Sequence, residues 1–269
     1  MILSLLVSAA VANAPVARLP DVHALLAGAS HAARVHRLEQ ANLMVARAVS
    51  AGASGPELNH AMADLAYASG RYEEALASYD AYLKAAPQDA LALEFAGIAA
   101  LKLGKLERAS SLLGQATARP NAGWRAWNAL GAVSDLNADW AKADDCYDHA
   151  WRLAPKEAGP VNNRGWSLLL RGDWKAALEL FEQATALDPK SKRAANNLDL
   201  ARAALAAELP HREPGESASS WAARLNDAGL AAAILGDKAR ATAAFTQAVD
   251  ASGTWYARAA NNLEAMGKQ

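Results

Sequence analysis

The chain has 269 residues, with 27 basic and 28 acidic side chains and a formal net charge of −1. A near-neutral chain without a basic run attracts no polyanion, so nucleic-acid binding is not expected. The single cysteine, Cys146, excludes an internal disulfide and a cysteine-based metal site. We expect it to be a small, semi-buried residue. Alanine is abundant and only three residues are Phe, which favours helices over sheets.

The first residues, MILSLLVSAAVANA, combine a short apolar segment with small residues that offer cleavage sites after Ala12 and Ala14. They predict a signal peptide over 1–14, with cleavage after Ala12 favoured because Pro15 would follow the other site. No Lys or Arg precedes Arg18, so a plain N-terminal helix or a misassigned start is the alternative. If the segment is cleaved, the protein is periplasmic or secreted; otherwise it is cytoplasmic. No later segment has the ~18 apolar residues of a membrane span, so we expect no stable membrane insertion.

Small and apolar residues recur every 34 residues through the middle of the chain. The clearest series are Gly70, Gly104, Ala138 and Gly172, and Ala75, Ala109, Ala143 and Ala177. Each unit predicts two helices, because the glycine position ends the first and a proline such as Pro155 or Pro189 follows the second. The predicted units are 56–89, 90–123, 124–157 and 158–191, after a degenerate unit at 22–55.

Beyond residue 191 the period breaks. A helix that contains RAANNLDLA at 193–201 is expected to run to about Leu209 as a capping helix, with a linker at 210–217 that is rich in Pro and Gly. Residues 218–269 predict a further helix pair around Gly236. A final helix from Trp255 carries a second copy of the motif, RAANNLEAM at 258–266. Both copies are interpreted as caps with a polar outer face.

Two segments resemble the tetratricopeptide repeat (TPR) family, namely the one from Ala126 to Pro155 and the one from Asn162 to Pro189. In the first, the family's hallmark positions are occupied by Trp127, Leu130, Gly131, Ala143, Tyr147, Ala150 and Pro155. The resemblance implies an all-α fold, a right-handed α-solenoid of helix-turn-helix units with a concave groove lined by the first helix of each unit. More loosely, the whole chain resembles the TadD-like TPR proteins of Flp (tight adherence) pilus assembly.

No catalytic pattern stands out. The sequence has no Gly-rich phosphate loop after a strand, no His-Glu-x-x-His and no nucleophile elbow. Asp145 and His149 are four residues apart, which is more typical of a surface ion pair than of a metal site. We therefore predict a non-enzymatic protein with no cofactor, no metal and no small-molecule substrate.

The TPR register implies which side chains face the groove. It places Asn128, Asn162, Asn196, Asn226 and Asn261 at the fifth position of successive first helices, Arg125, Arg193 and Arg258 at the second, and Trp166 at the ninth. Asparagine amides can both donate to and accept from a peptide main chain, and arginines bind carboxylates. Alternatively, the asparagines bond a neighbouring helix and fix the geometry between repeats, and Trp166 packs between repeats as core.

The predicted function is a protein-protein interaction scaffold that binds a peptide or partner segment in its concave groove. The looser resemblance implies a role in envelope, pilus or secretion complex assembly. A cytoplasmic TPR regulatory or adaptor module is the alternative. It becomes the better interpretation if the first residues are retained.

Overall fold

The computed structural model describes residues 21–205, 209–252 and 256–267, and within these ranges the chain forms helices and no strand. The predicted signal peptide at 1–14 and Trp255 lie outside the described residues. The helices are α1 (Val22–Arg34), α2 (Leu38–Ser50), α3 (Pro56–Ala68), α4 (Tyr72–Leu83), α5 (Ala90–Lys102), α6 (Leu106–Thr117), α7 (Trp124–Leu136), α8 (Trp140–Leu153), α9 (Ala158–Leu170), α10 (Trp174–Leu187), α11 (Lys192–Leu205), α12 (Ala218–Ile234), α13 (Lys238–Ala251) and α14 (Ala257–Gly267).

The chain divides into two compact units, an N-terminal unit that ends at Ala86 and a C-terminal unit that begins at Pro87. In the N-terminal unit, α1 packs against α2 and α3, and α3 packs against α4. In the C-terminal unit, the pairs α5/α6, α7/α8 and α9/α10 stack in chain order, followed by α11, the pair α12/α13 and α14. Each unit is thus an α-solenoid of stacked helix pairs, as predicted. Among the described residues, no helix is both long and apolar enough to span a membrane.

Close approach between the two helices of a pair depends on one glycine. A Cβ atom added to Gly165 in α9 would lie 2.7 Å from the ring of Phe181 in α10. A Cβ on Gly229 in α12 would lie 2.6 Å from the ring of Phe245 in α13. Contacts this short cannot be accommodated without moving the ring, so glycine lets an aromatic residue fill the space between the helices. The α12/α13 pair therefore packs in the same way as α9/α10.

In the α7/α8 and α9/α10 pairs, the turn combines a left-handed residue with a side-chain cap for the second helix. Ala138, between α7 and α8, has a φ of 56°, whereas the equivalent Gly172 has a φ of 82°. Asp139 follows Ala138 and accepts a hydrogen bond from the backbone N–H of Lys142, and Asp173 does the same for Ala176. These aspartates satisfy backbone donors in the first turn and so fix where α8 and α10 begin.

The packing of α11 corrects its predicted role as a cap. This helix contacts α9 and α10 on one side and α12 on the other. Its Leu198 and Ala201 share a buried cluster with Phe181 of α10 and Ala231 of α12. It is therefore an interior helix. The described part of α11 extends to Leu205. Leu209, the predicted last residue of this helix, is not helical.

The predicted linker at 210–217 is an ordered loop that returns the chain onto α11. The indole N–H of Trp221 donates to the carbonyl of Pro210 at 3.4 Å. Arg212 donates to the backbone carbonyl of Glu216 at 2.9 Å, and Arg224 donates to the carboxylate of Glu216 at 3.0 Å. These contacts fasten the loop to the first turns of α12, and α12 itself packs on α11.

Candidate functional site

A concavity of about 450 Å³ lies in the C-terminal unit, and we call it the central concavity. Residues from α5, α7, α9 and α11 contribute to it, so it is lined mainly by helices in the first-helix register. Its lining residues are Ile98, Leu101, Lys102, Trp124, Arg125, Asn128, Ala129, Ala132, Asp135, Leu136, Tyr147, Asn163, Trp166, Leu170 and Arg193.

The structure brings four of the nine predicted groove residues together here, namely Arg125, Asn128, Trp166 and Arg193. Asn162 lines a neighbouring concavity of about 410 Å³, to which Arg193 also contributes. The other four do not line the central concavity: Asn196 is exposed on α11, Asn226 is buried in α12, and Arg258 and Asn261 are exposed on α14. The predicted row of groove residues is therefore concentrated on α7, α9 and the start of α11.

Paired asparagines connect successive first-register helices by side-chain hydrogen bonds. In each bond the acceptor is the fifth-position asparagine and the donor is the sixth-position asparagine of a later helix. The bonds are Asn163 Nδ2 to Asn128 Oδ1 (3.0 Å), Asn197 Nδ2 to Asn162 Oδ1 (2.9 Å) and Asn262 Nδ2 to Asn226 Oδ1 (3.0 Å).

Burial gives these amide bonds a structural role. Asn162 is 5 % exposed and Asn226 is 3 % exposed, and a buried amide without a partner would destabilise the fold. The sequence left open whether the asparagines bond a neighbouring helix, and Asn128, Asn162 and Asn226 do so. The donors Asn163, Asn197 and Asn262 were not assigned from the sequence. The signal for them was the doubling of the asparagine at the same point of each helix.

Glu94 occupies the fifth position of α5, where the later repeats have asparagine. Its carboxylate is 4 % exposed and accepts a hydrogen bond from the backbone N–H of Ala126, in the first turn of α7, at 3.2 Å. A Cβ on Gly123 would lie 2.7 Å from the Glu94 carboxylate, so the glycine leaves room for it. Burial raises the pKa of Glu94, while Arg125 and the Ala126 N–H counteract part of that increase. The Glu94 carboxylate therefore connects α5 to α7, at the position where asparagine connects the later repeats.

Asp135 forms the floor of the central concavity and is 7 % exposed. The hydroxyl of Tyr147 donates to it at 2.7 Å, and the hydroxyl of Ser167 donates at 2.6 Å. Burial raises the pKa of Asp135, and these two hydrogen bonds and the more distant Arg171 act in the opposite direction. The Ser167 bond also ties α9 to α7 beneath the concavity.

The accessible surface of the central concavity is apolar with a basic rim. Trp166 is 37 % exposed, and Leu136 and Leu170 are also exposed, so Trp166 offers a surface rather than being enclosed between repeats. The rim carries the exposed side chains of Lys102, Arg125 and Arg193, and the Arg125 guanidinium lies 4.5 Å from the centre of the Trp124 ring. Among the described lining residues, Asp135 is the one acid.

Cys146, Asp145 and His149 make packing and backbone contacts of the kind that stabilise a fold. Cys146 is buried, and burial raises the pKa of its thiol to about 11, which keeps it protonated and unreactive. His149 Nδ1 lies 2.9 Å from the backbone oxygen of Asp145, and its ring stacks on Trp127 with 4.3 Å between centres. The expected side-chain ion pair is thus replaced by a backbone contact and stacking. In the described part of the chain, no group of three or more His, Cys, Asp or Glu side chains is placed to hold a metal ion.

The stacked helix pairs define a class of protein, the helical-repeat or α-solenoid proteins. Models of the tetratricopeptide repeat family match residues 26–90 and 60–123 and, separately, residues 160–191. The two matched segments, 26–123 and 160–191, are therefore tetratricopeptide repeats. The chain's looser resemblance to TadD-like proteins stays a prediction.

Several solved structures share the fold. PilW, a widely conserved type IV pilus biogenesis factor, is 13% identical, with 91% of this chain and 97% of that chain covered and a TM-score of 0.58. PilF of Pseudomonas aeruginosa is 15% identical, with 92% and 96% covered and a TM-score of 0.53. A TPR protein from Parabacteroides merdae is 16% identical, with 94% and 86% covered and a TM-score of 0.53. No curated protein sequence matches the chain significantly. At these identities the similarity establishes the fold.

Proposed function

We propose that the chain is a scaffold that binds an extended peptide or partner segment in the central concavity. The observation that carries this proposal is the exposure of Trp166 beside Leu170 on a concave surface to which four first-register helices contribute. Exposed apolar groups in a concave surface with polar groups around it are typical of a binding site. The proposed role is binding without catalysis.

We further propose that the partner belongs to an envelope assembly such as a pilus. The support is the apolar segment at 1–14 with its Ala-x-Ala sites, together with a fold shared with PilW and PilF. Export predicts a mature N-terminus at Asn13, as cleavage after Ala12 requires. N-terminal sequencing of protein from fractionated cells tests this directly. Intact Met1 in the cytoplasmic fraction contradicts the envelope role and favours the cytoplasmic adaptor.

Binding in the central concavity is tested by crosslinking in native cells. A photoreactive phenylalanine analogue replaces Leu136 or Leu170, and in the control it replaces Lys175, an exposed residue of α10 that does not line the concavity. We expect partner adducts from the two concavity positions that are absent from the control. The adducts should disappear when Trp166→Ala is combined with Arg193→Glu in a protein that melts normally. The same adducts at all three positions, or adducts insensitive to the double substitution, contradict binding there.

A further inference from the structure

We infer that the central concavity selects segments in which an acidic side chain lies next to a bulky apolar one. This inference rests on the proposed function and names the chemistry of its ligand. Recognition comes from the charge of the basic rim together with the apolar surface. A row of asparagine amides that grips the peptide main chain is not required.

The asparagine amides are committed to the fold. The side-chain oxygen of Asn128 accepts from Asn163, and the side-chain oxygen of Asn162 accepts from Asn197. The amide nitrogen of Asn162 points to Asn163 Oδ1 at 3.4 Å, which engages the second end of the same side chain. These bonds hold the side chains between the repeats and leave fewer of their groups for a peptide main chain. The asparagine row therefore makes a poor main-chain ladder in this protein.

The cations of the rim are available instead. In the described part of the chain, Lys102 and Arg193 have no ion-pair partner, and both side chains are exposed. Arg125 is also exposed and is steadied over the Trp124 ring. Glu94 interacts with Arg125 through its charge, but in the described part of the chain neither nearby acid forms an ion pair with the rim. Glu94 is buried against the Ala126 N–H, and Asp135 is bound by two hydroxyls. The accessible charge of the rim is therefore positive and suits a ligand carboxylate.

The apolar part of the surface sets the second requirement. Leu136, Trp166 and Leu170 are the exposed large apolar side chains that line the same concavity. An aromatic or branched ligand side chain would cover them and remove apolar surface from water. Because both features belong to one concavity of about 450 Å³, the acidic and apolar groups of the ligand should be neighbours in its sequence.

The test is a selection from a random library of peptides of about 12 residues against the full chain. Three variants are run in parallel. The charge variant carries Lys102→Gln and Arg193→Gln, the apolar variant carries Trp166→Ala, and the matched control carries Lys175→Gln and Lys238→Gln, two exposed lysines outside the concavity. Melting curves confirm that all four proteins are folded.

We expect peptides selected by the wild type to be enriched in Asp or Glu beside Trp, Phe or Leu. The charge variant should lose the acidic enrichment, and the control should keep it. A labelled peptide from the wild-type pool should bind the charge variant roughly tenfold more weakly. Its affinity for the wild type should fall in about 1 M salt, where screening acts within about 3 Å.

The two levels of the proposal fail in different ways. In one outcome the selected peptides depend on Trp166 and yet show no acidic enrichment, and in another their acidic enrichment survives in the charge variant. Either result contradicts the charge inference and leaves binding in the central concavity intact. An absence of enriched peptides, or enrichment that Trp166→Ala does not change, contradicts binding in the central concavity and the inference with it.

Discussion

The N-terminal and C-terminal units each bury an aspartate, but different donors satisfy its hydrogen bonds. In the N-terminal unit, Asp64 accepts from the Tyr79 hydroxyl at 2.6 Å and from the Arg34 guanidinium at 3.0 Å. In the C-terminal unit, Asp135 accepts from two neutral hydroxyls. Neutral donors satisfy the buried acid without using a cation. The basic side chains of the central concavity are thus left for a ligand.

The same contrast extends to the surface of the N-terminal concavity, which has a volume of about 330 Å³. Its lining includes His23, Arg34 and Glu57. His23 pairs with Glu57 at 3.2 Å, and Arg34 is engaged by Asp64. Cations that are already paired offer little net attraction to an acidic segment. We therefore place acid selectivity in the C-terminal unit.

The largest expected effect comes from removing the tyrosine donor in each unit. Tyr147→Phe leaves Asp135 with Ser167 as its direct donor, whereas Tyr79→Phe leaves Asp64 with the charged Arg34. We expect a loss in unfolding free energy of about 2–3 kcal/mol for Tyr147→Phe and about 1–2 kcal/mol for Tyr79→Phe, measured by urea denaturation. A larger loss for Tyr79→Phe would show that the arginine does not compensate and would break the comparison.

Glu94→Gln should stabilise the C-terminal unit by a few degrees in Tm at neutral pH. A buried carboxyl with a raised pKa favours its protonated form in the folded state, so ionisation costs stability as the pH rises above the unfolded value. Glutamine keeps an acceptor for the Ala126 N–H and removes the charge. The gain should vanish near pH 4, and exposed Glu107→Gln is the control. An equal gain at both pH values contradicts a role for ionisation.

A smaller gain is expected where a residue with a side chain occupies the left-handed region. Ala138 in the C-terminal unit and His36 in the N-terminal unit both have a φ of 56°. Replacing either with glycine should stabilise the chain by about 0.5–1 kcal/mol, because the steric cost of that conformation is removed. Chemical denaturation measures both. A gain in one unit only would show that the two turns are not equally strained.

The smallest effect concerns the exposed pair of His23 and Glu57. Their hydrogen bond and charge raise the pKa of His23, so the stability that the pair contributes is present at low pH and is lost as the pH rises past the folded value. Glu57→Gln should lower the pKa of His23 toward its usual value in an NMR titration. No movement of that titration would mean that His23 is not paired with Glu57 in solution.

Periodicity was sufficient to predict the helix pairs but not the contacts of their side chains. The 34-residue spacing identified the turn at Gly172, and the helical patterns on either side of Gly236 identified the turn there. Both glycines have a positive φ, a conformation that favours glycine and can therefore be anticipated from the sequence. The partner of Asn162 is Asn197, and only the stacking of α9 against α11 makes that visible. Glu94 was missed because its burial depends on the space beside Gly123, a relation between distant residues.

The likeness of the two RAANNL segments led to a wrong interpretation of α11 as a cap. Sequence similarity indicated correctly that α11 and α14 share a register, since Asn197 and Asn262 make equivalent bonds. It carried no information on whether another helix packs over the outer face of each. The structure shows that α12 packs on α11, with Ala231 of α12 in the same buried cluster as Leu198 and Ala201 of α11.

The asparagine bridges are made from uncharged groups, so the contacts between helices and the affinity for a ligand should respond differently to solution conditions. Neither pH nor ionic strength changes the charge of an amide, so the asparagine bonds from α7 to α9 and from α9 to α11 should persist across conditions that alter electrostatics. Affinity at the rim of Lys102, Arg125 and Arg193 should vary with those same conditions. The asparagine contacts between the helices would then stay constant while pH and ionic strength change the affinity for a ligand.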